Sequence, residues 1–317
     1  MKHEPSILAV LIGIFFVSQI VGLAIVDSYL DYETSISSGN ETFRTLPFDT
    51  PRPDVEQNTS FIWIMFAVII GTLLVLALIR MRKMRLWRFW FFMSVSLTLT
   101  VAFAAFLPQS VALAVALAAA FMKIYRPNFW IHNISEVFMY GGIAAIFVPL
   151  INIFSALMLL VLISLYDMYA VWKSKHMITM AQSQTKEQMF AGILIPYFKG
   201  RPQKGRKASS GRKVVIKPTV EKKTGSGTVK TAILGGGDVG FPLIFAGVVM
   251  KTLLLGGIPV WISRLETLII VLASTLALFL LMRFGQKGKF YPAMPFLSAG
   301  CFLGYVIVFV LNRILFL

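Results

Sequence analysis

Long uncharged runs, separated by short polar or charged stretches, set the pattern of this chain. Apolar runs lie near 6–27, 61–79, 89–107, 109–122, 129–148, 150–172, 229–250, 262–282 and 291–316. A helix needs roughly 20 apolar residues to cross a hydrocarbon core, and all but the short fourth run approach that length. Phe89 to Met122 is uncharged over 34 residues, too long for one span. Pro108-Gln109 breaks it into a tight helical hairpin, since proline removes a backbone donor. Phe129 to Trp172 is also too long for one span, and Pro149 marks its turn. The pattern predicts an all-α polytopic membrane protein with nine transmembrane helices.

Composition agrees. The 317 residues are 57% hydrophobic and 14% charged, with a mean hydropathy of +0.77; a soluble domain carries roughly 25% charged residues. The single cysteine, Cys301, lies in a late apolar run and permits no internal disulfide. The first run, Ile7 to Val26, follows Lys2, and no small-x-small cleavage signal stands out after it. It reads as a retained span.

A net charge of +16 would suit a nucleic-acid partner, but its distribution points elsewhere. Lys2, five basic residues in 80–88, Lys123 with Arg126, fourteen in 173–230, and Arg283, Lys287 and Lys289 all fall on one side if nine spans alternate. That side holds 25 of the 30 Lys and Arg. The positive-inside rule then predicts a cytoplasmic N-terminus and an outside C-terminus. The basic loops are expected against anionic lipid heads, with no nucleic-acid partner. The acidic loop 28–60 falls outside and carries the sequons Asn40-Glu-Thr42 and Asn58-Thr-Ser60. The chain divides into a six-helix part (1–172), a basic flexible cytoplasmic loop (173–228) and a three-helix part (229–317). Within that loop, 196–228 reads as a linker, and Lys213–Val220 has some strand character.

Two aspartates stand alone inside apolar runs: Asp167 in Leu165-Tyr-Asp-Met-Tyr169, and Asp238 after Gly235-Gly-Gly237. An ionisable group in hydrocarbon is costly and normally faces protein or water for a functional reason. Asp167 precedes Lys173 by six residues, and Asp238 follows Lys230 by eight. At 1.5 Å per helical residue, they sit roughly 9 and 12 Å from the basic boundary, at similar depth on antiparallel neighbours. Two close carboxylates in a low dielectric share one proton. The charged one can then activate water while the neutral one protonates a carbonyl oxygen or leaving amine. A lone buried Asp bonded to a Ser, a Tyr or a helix end is the plainer reading for either residue taken singly. The three glycines loosen the helix and let another backbone approach, so Gly235, Gly236 and Gly237 are candidate substrate contacts. Gly236 and Gly240 also form a GxxxG packing pattern.

Tyr166-Asp167, Gly235-Gly236-Gly237-Asp238 and Pro292-Ala293-Met294 together resemble the YD, GxGD and PAL motifs of presenilin and signal peptide peptidase, the GxGD intramembrane aspartyl proteases. The resemblance spans nearly the whole chain, and its derived orientation is similar to that of archaeal presenilin homologues. It implies a presenilin-like fold, Asp167 and Asp238 as the catalytic pair, and Pro292, Ala293 and Met294 as a segment that shapes the site and holds substrate. Met294 replaces the family's Leu, a swap that conserves volume and apolarity. Tyr166 is either a hydrogen-bonding neighbour of the pair or a membrane-interface tyrosine.

The function expected is therefore an intramembrane aspartic endopeptidase acting on transmembrane helices or remnant signal peptides. It is multi-pass in the lipid bilayer of the cell (plasma) membrane and needs no cofactor or metal; homo-oligomerisation is left open. The alternative is a cation or proton transporter or leak channel with the same aspartates as relay. A prepilin-type peptidase shares GxGD but lacks the PAL segment. Gly235-x-Gly237-x-x-Gly240 matches a dinucleotide fingerprint only formally, because no βαβ unit surrounds it. His3, His132 and His176 are scattered, so no metal site is expected. His132, Asn133 and Glu136 read as a polar cluster at the start of the fifth span.

Overall fold

The apolar runs fold as helices close to their predicted bounds. The structure, a computed structural model, describes residues 5–39, 41–81, 83–126, 128–174, 191–199, 228–285 and 291–315. The helices are α1 (Pro5–Tyr29), a short α2 (Tyr32–Ser38), α3 (Ser60–Arg80), α4 (Met84–Ala104), α5 (Gln109–Tyr125), α6 (Phe129–Phe147), α7 (Ile153–Met168), α8 (Gly236–Leu255), α9 (Val260–Phe284) and α10 (Met294–Leu315). Among the described residues, eight helices are long and apolar enough to cross a membrane, and α5 is a shorter apolar helix.

The breaks have local causes. Pro108 precedes the first residue of α5, and Pro149 lies in the 3-10 turn Val148–Leu150 between α6 and α7. Asn152 caps α7, its side chain accepting the Ser155 N–H at 2.8 Å. Asn128 does the same for α6, accepting from the Trp130 N–H at 3.2 Å. Beyond Met168 the α7 helix continues as a π-helical segment, Tyr169–Ser174.

One expected element is different in kind. The apolar run 229–250 predicts helix throughout, yet Thr228–Gly235 is a strand, β2, and helix α8 begins only at Gly236. Its antiparallel partner β1 (Gly192–Lys199) lies in the stretch expected to be loop, so residues 196–199 belong to a strand and not to a linker. Short apolar runs such as Ile193-Leu-Ile195 and Ala232-Ile-Leu234 fit a strand or a helix equally well by periodicity. Pairing across the intervening chain decides between them. Lys213–Val220 lies outside the described residues.

Helix α8 is the axis of the bundle. It packs against α1, α6, α7, α9, α10 and both strands. Helix α10 lies along α9 and α7, α4 pairs with α5, and α3 packs mainly on α7. Small residues permit the close crossings. A Cβ at Gly142 would lie 2.0 Å from the Thr98 carbonyl oxygen of α4, and one at Gly247 would lie 2.7 Å from Val148.

Candidate active site

Asp167 lies one residue before the end of α7 and is 4% exposed. Its Oδ2 accepts the Met294 backbone N–H at 3.1 Å, and the Ala293 N–H is directed to the same carboxylate. These are the first free donors of α10, because Pro292 has none to give. A helix N-terminus presents N–H groups and a positive dipole end, which suits a carboxylate. Pro292, Ala293 and Met294 are therefore brought onto Asp167. One turn away, the Ser164 and Ser298 hydroxyls meet at 2.8 Å and fix α7 to α10.

Asp238 is the third residue of α8. Its carboxylate turns back to the Gly235 N–H at the end of β2, half of a capping box. A Cβ at Gly235 would lie 3.1 Å from Asp238 Oδ2, so glycine leaves room for this turn. Gly236 is approached on both sides: its N–H donates to the Ala191 carbonyl at 3.2 Å, and a Cβ would lie 3.4 Å from the Tyr140 hydroxyl. Gly237 is exposed. A Cβ at Gly240 would meet nothing within 4 Å, so the expected GxxxG packing seam is not formed there.

The two aspartates, on adjacent helices, are near enough for Asp167 to act electrostatically on Asp238. Asp238 is not eight helical residues from Lys230, because Lys230 to Gly235 is extended strand rather than helix. Tyr166 is directed elsewhere: its hydroxyl donates to Thr72 Oγ1 of α3 at 3.0 Å. Adjacent positions on a helix differ by about 100°, which turns Tyr166 toward α3 while Asp167 faces α10. Among the described residues, no group of three or more His, Cys, Asp or Glu side chains assembles as a metal site.

One support belongs to no motif. Gln19 of α1 is fully buried, and its Nε2 donates to the Val239 carbonyl at 2.9 Å, directly beside Asp238. A glutamine within an otherwise apolar span was the available signal. The polar cluster at His132, Asn133 and Glu136 is buried in the bundle. Glu136 is 0% exposed and pairs with Lys123 of α5, while His132 and Asn133 bond to β1.

Residues 12–314 match the family described as signal-peptide peptidase, presenilin aspartyl protease, and the chain belongs to that family. It is an intramembrane aspartyl protease, an aspartic endopeptidase. Its fold is similar to a presenilin family intramembrane aspartate protease solved in a C222 crystal form. That likeness has a TM-score of 0.61 and 20% identity, covering 96% of this chain and 99% of that one. The P2 crystal form of a presenilin family intramembrane aspartate protease gives a TM-score of 0.59 and 19% identity, covering 98% and 100%. No curated protein matches the chain by sequence.

Proposed function

We propose that Asp167 and Asp238 are the catalytic pair and hydrolyse peptide bonds within transmembrane segments or remnant signal peptides. The observation that carries this reading is convergence. The two aspartates singled out by their apolar surroundings stand on adjacent helices, and each is oriented by backbone N–H groups at a helix start. With one shared proton, the ionised carboxylate takes a proton from water as its oxygen adds to the scissile carbonyl carbon, and the protonated one gives its proton to the carbonyl oxygen. Collapse of the gem-diol returns a proton to the leaving amine, breaks the C–N bond and restores the pair.

A helical substrate must unwind before its carbonyls are reachable. The outer edge of β2 supports such unwinding, because β1 occupies only one side and Ile233 is 42% exposed on this strand. Gly237 is exposed at the start of α8, where a second backbone can approach, and the Met294 backbone N–H lies beside Asp167. The charge bias of the loops supports a cytoplasmic N-terminus and a site that opens toward the cytoplasm.

The test is incubation of the purified protein with a tagged single-span substrate in liposomes, with product ends read by mass spectrometry. Cleavage inside the span that is lost in both Asp167→Ala and Asp238→Ala is expected. Aspartate-dependent ion flux without new peptide ends would overturn the reading.

A further inference from the structure

Helix α6 carries a polar row, His132, Asn133, Glu136 and Tyr140, that the hydrolytic chemistry does not use. The spacing places His132, Glu136 and Tyr140 on one face, with Asn133 beside them. All four are buried, and three of them touch the β-hairpin or the turn into α8.

The contacts with β1 are specific. Asn133 Nδ2 donates to the Leu194 carbonyl at 3.0 Å, and Asn133 Oδ1 accepts the Leu194 N–H at 3.1 Å. One side-chain amide thus satisfies both backbone groups of one strand residue, as a neighbouring strand would. Leu194 stands opposite Ile233 of β2, and both of its backbone groups face away from that strand. Two residues earlier, His132 Nε2 lies 2.8 Å from the Gly192 carbonyl. A carbonyl only accepts, so the ring nitrogen donates. Tyr140 closes the row against Gly236.

The row has an internal anchor. Glu136 is fully buried and paired with Lys123 of α5, itself 2% exposed. Such a pair is costly to move apart, since either charge alone would be stranded. The two short strands bury Ile193, Ile195, Ala232 and Leu234 in the core, and the row adds fixed polar contacts to that packing.

We propose that this row clamps the β1/β2 hairpin in register and thereby positions Asp238, with Asn133 and His132 as positioning residues. The inference rests on the assignment of Asp238 as catalytic. β2 ends at Gly235 and α8 begins at Gly236, so a displaced strand displaces the aspartate, three residues beyond the strand's end. A slip of one residue in strand pairing would turn every side chain to the other face. Without the clamp, the aspartate samples several positions along a bound peptide.

Asn133→Leu keeps the branched shape of the side chain and removes both hydrogen bonds. Hydrogen exchange on the purified protein reads the clamp without requiring activity. Peptides covering 191–199 are expected to exchange about tenfold faster, while those from α9 and α10 are unchanged. Product ends from the single-span substrate are expected to spread over neighbouring bonds, with a fall in kcat. His132→Gln keeps a donor and is expected to retain most of the protection, whereas His132→Leu is not. Unchanged exchange in 191–199 would overturn the proposal. So would equal acceleration in all helices, or lower activity with unchanged product ends, because either is what simple destabilisation gives. If the exchange result holds while the wild type cleaves nothing, the clamp stands and the catalytic assignment falls.

Discussion

Helices α3 and α8 lie at opposite extremes of the same bundle. Over its most apolar 18 residues, α8 is 72% buried and α3 only 11%. Yet α3 is an almost unbroken apolar run, whereas α8 contains Asp238, Pro242, Lys251 and several glycines. In water the more apolar helix would be the inner one. In a bilayer, lipid tails are as apolar as leucine, and burial follows close packing and polar contacts instead. Helix α8 is central because its glycines admit neighbours and because its polar groups all find protein partners. Gln19 takes the Val239 carbonyl, Glu41 takes Lys251 at 2.7 Å, and Gly235 takes Asp238. Helix α3 has little to offer other helices beyond Thr72, which receives Tyr166.

Substitutions can break this contrast. The largest effect falls at the polar end of α8, where Asp238→Ala should lower kcat/KM roughly a thousandfold, the order expected for loss of a general acid or base. Next is packing. Gly247 touches Val148, so Gly247→Leu should destabilise the detergent-solubilised protein by about 3 kcal/mol, seen as a lower Tm. The far end of α8 comes third. Lys251 is 1% exposed whereas the Glu41 side chain is 25% exposed. Glu41→Gln therefore strands a buried ammonium and should cost about 2 kcal/mol, more than Lys251→Met, which leaves a carboxylate within reach of water. The smallest effect is on α3. A Cβ at Gly71 would meet nothing within 4 Å, so Gly71→Ala should shift stability by less than about 1 kcal/mol, in the favourable direction. A marked loss at Gly71, or none at Gly247, would reverse the assignment of inner and outer helices.

The apolar helices, their two proline-marked breaks and the two aspartates were legible because each is a one-dimensional signal: run length, a missing donor, or a charge out of place. The hairpin was not. Gly192–Lys199 pairs with residues that begin at Thr228, and nothing local to either segment records the other. Ala232-Ile-Leu234 was therefore absorbed into the following helix. Burial of polar side chains was equally hidden. Glu136 reads as part of a polar cluster at a helix start, and only the fold brings Lys123 to it. The apolar run 229–250 stops one residue short of Lys251, which lies within α8. The motif Pro292-Ala293-Met294 was legible as a motif, but not the reason for it. The structure supplies a physical one: it opens a helix whose first N–H groups meet Asp167.

The most direct test of the account is a double-mutant comparison of cleavage rates for Asp167→Asn, Asp238→Asn and the double variant on one single-span substrate. Residues that act as a unit give non-additive losses. The account predicts that each single variant falls roughly a thousandfold and that the double variant falls no further. Cleavage retained in both single variants, or losses that multiply in the double, would contradict a shared two-aspartate site.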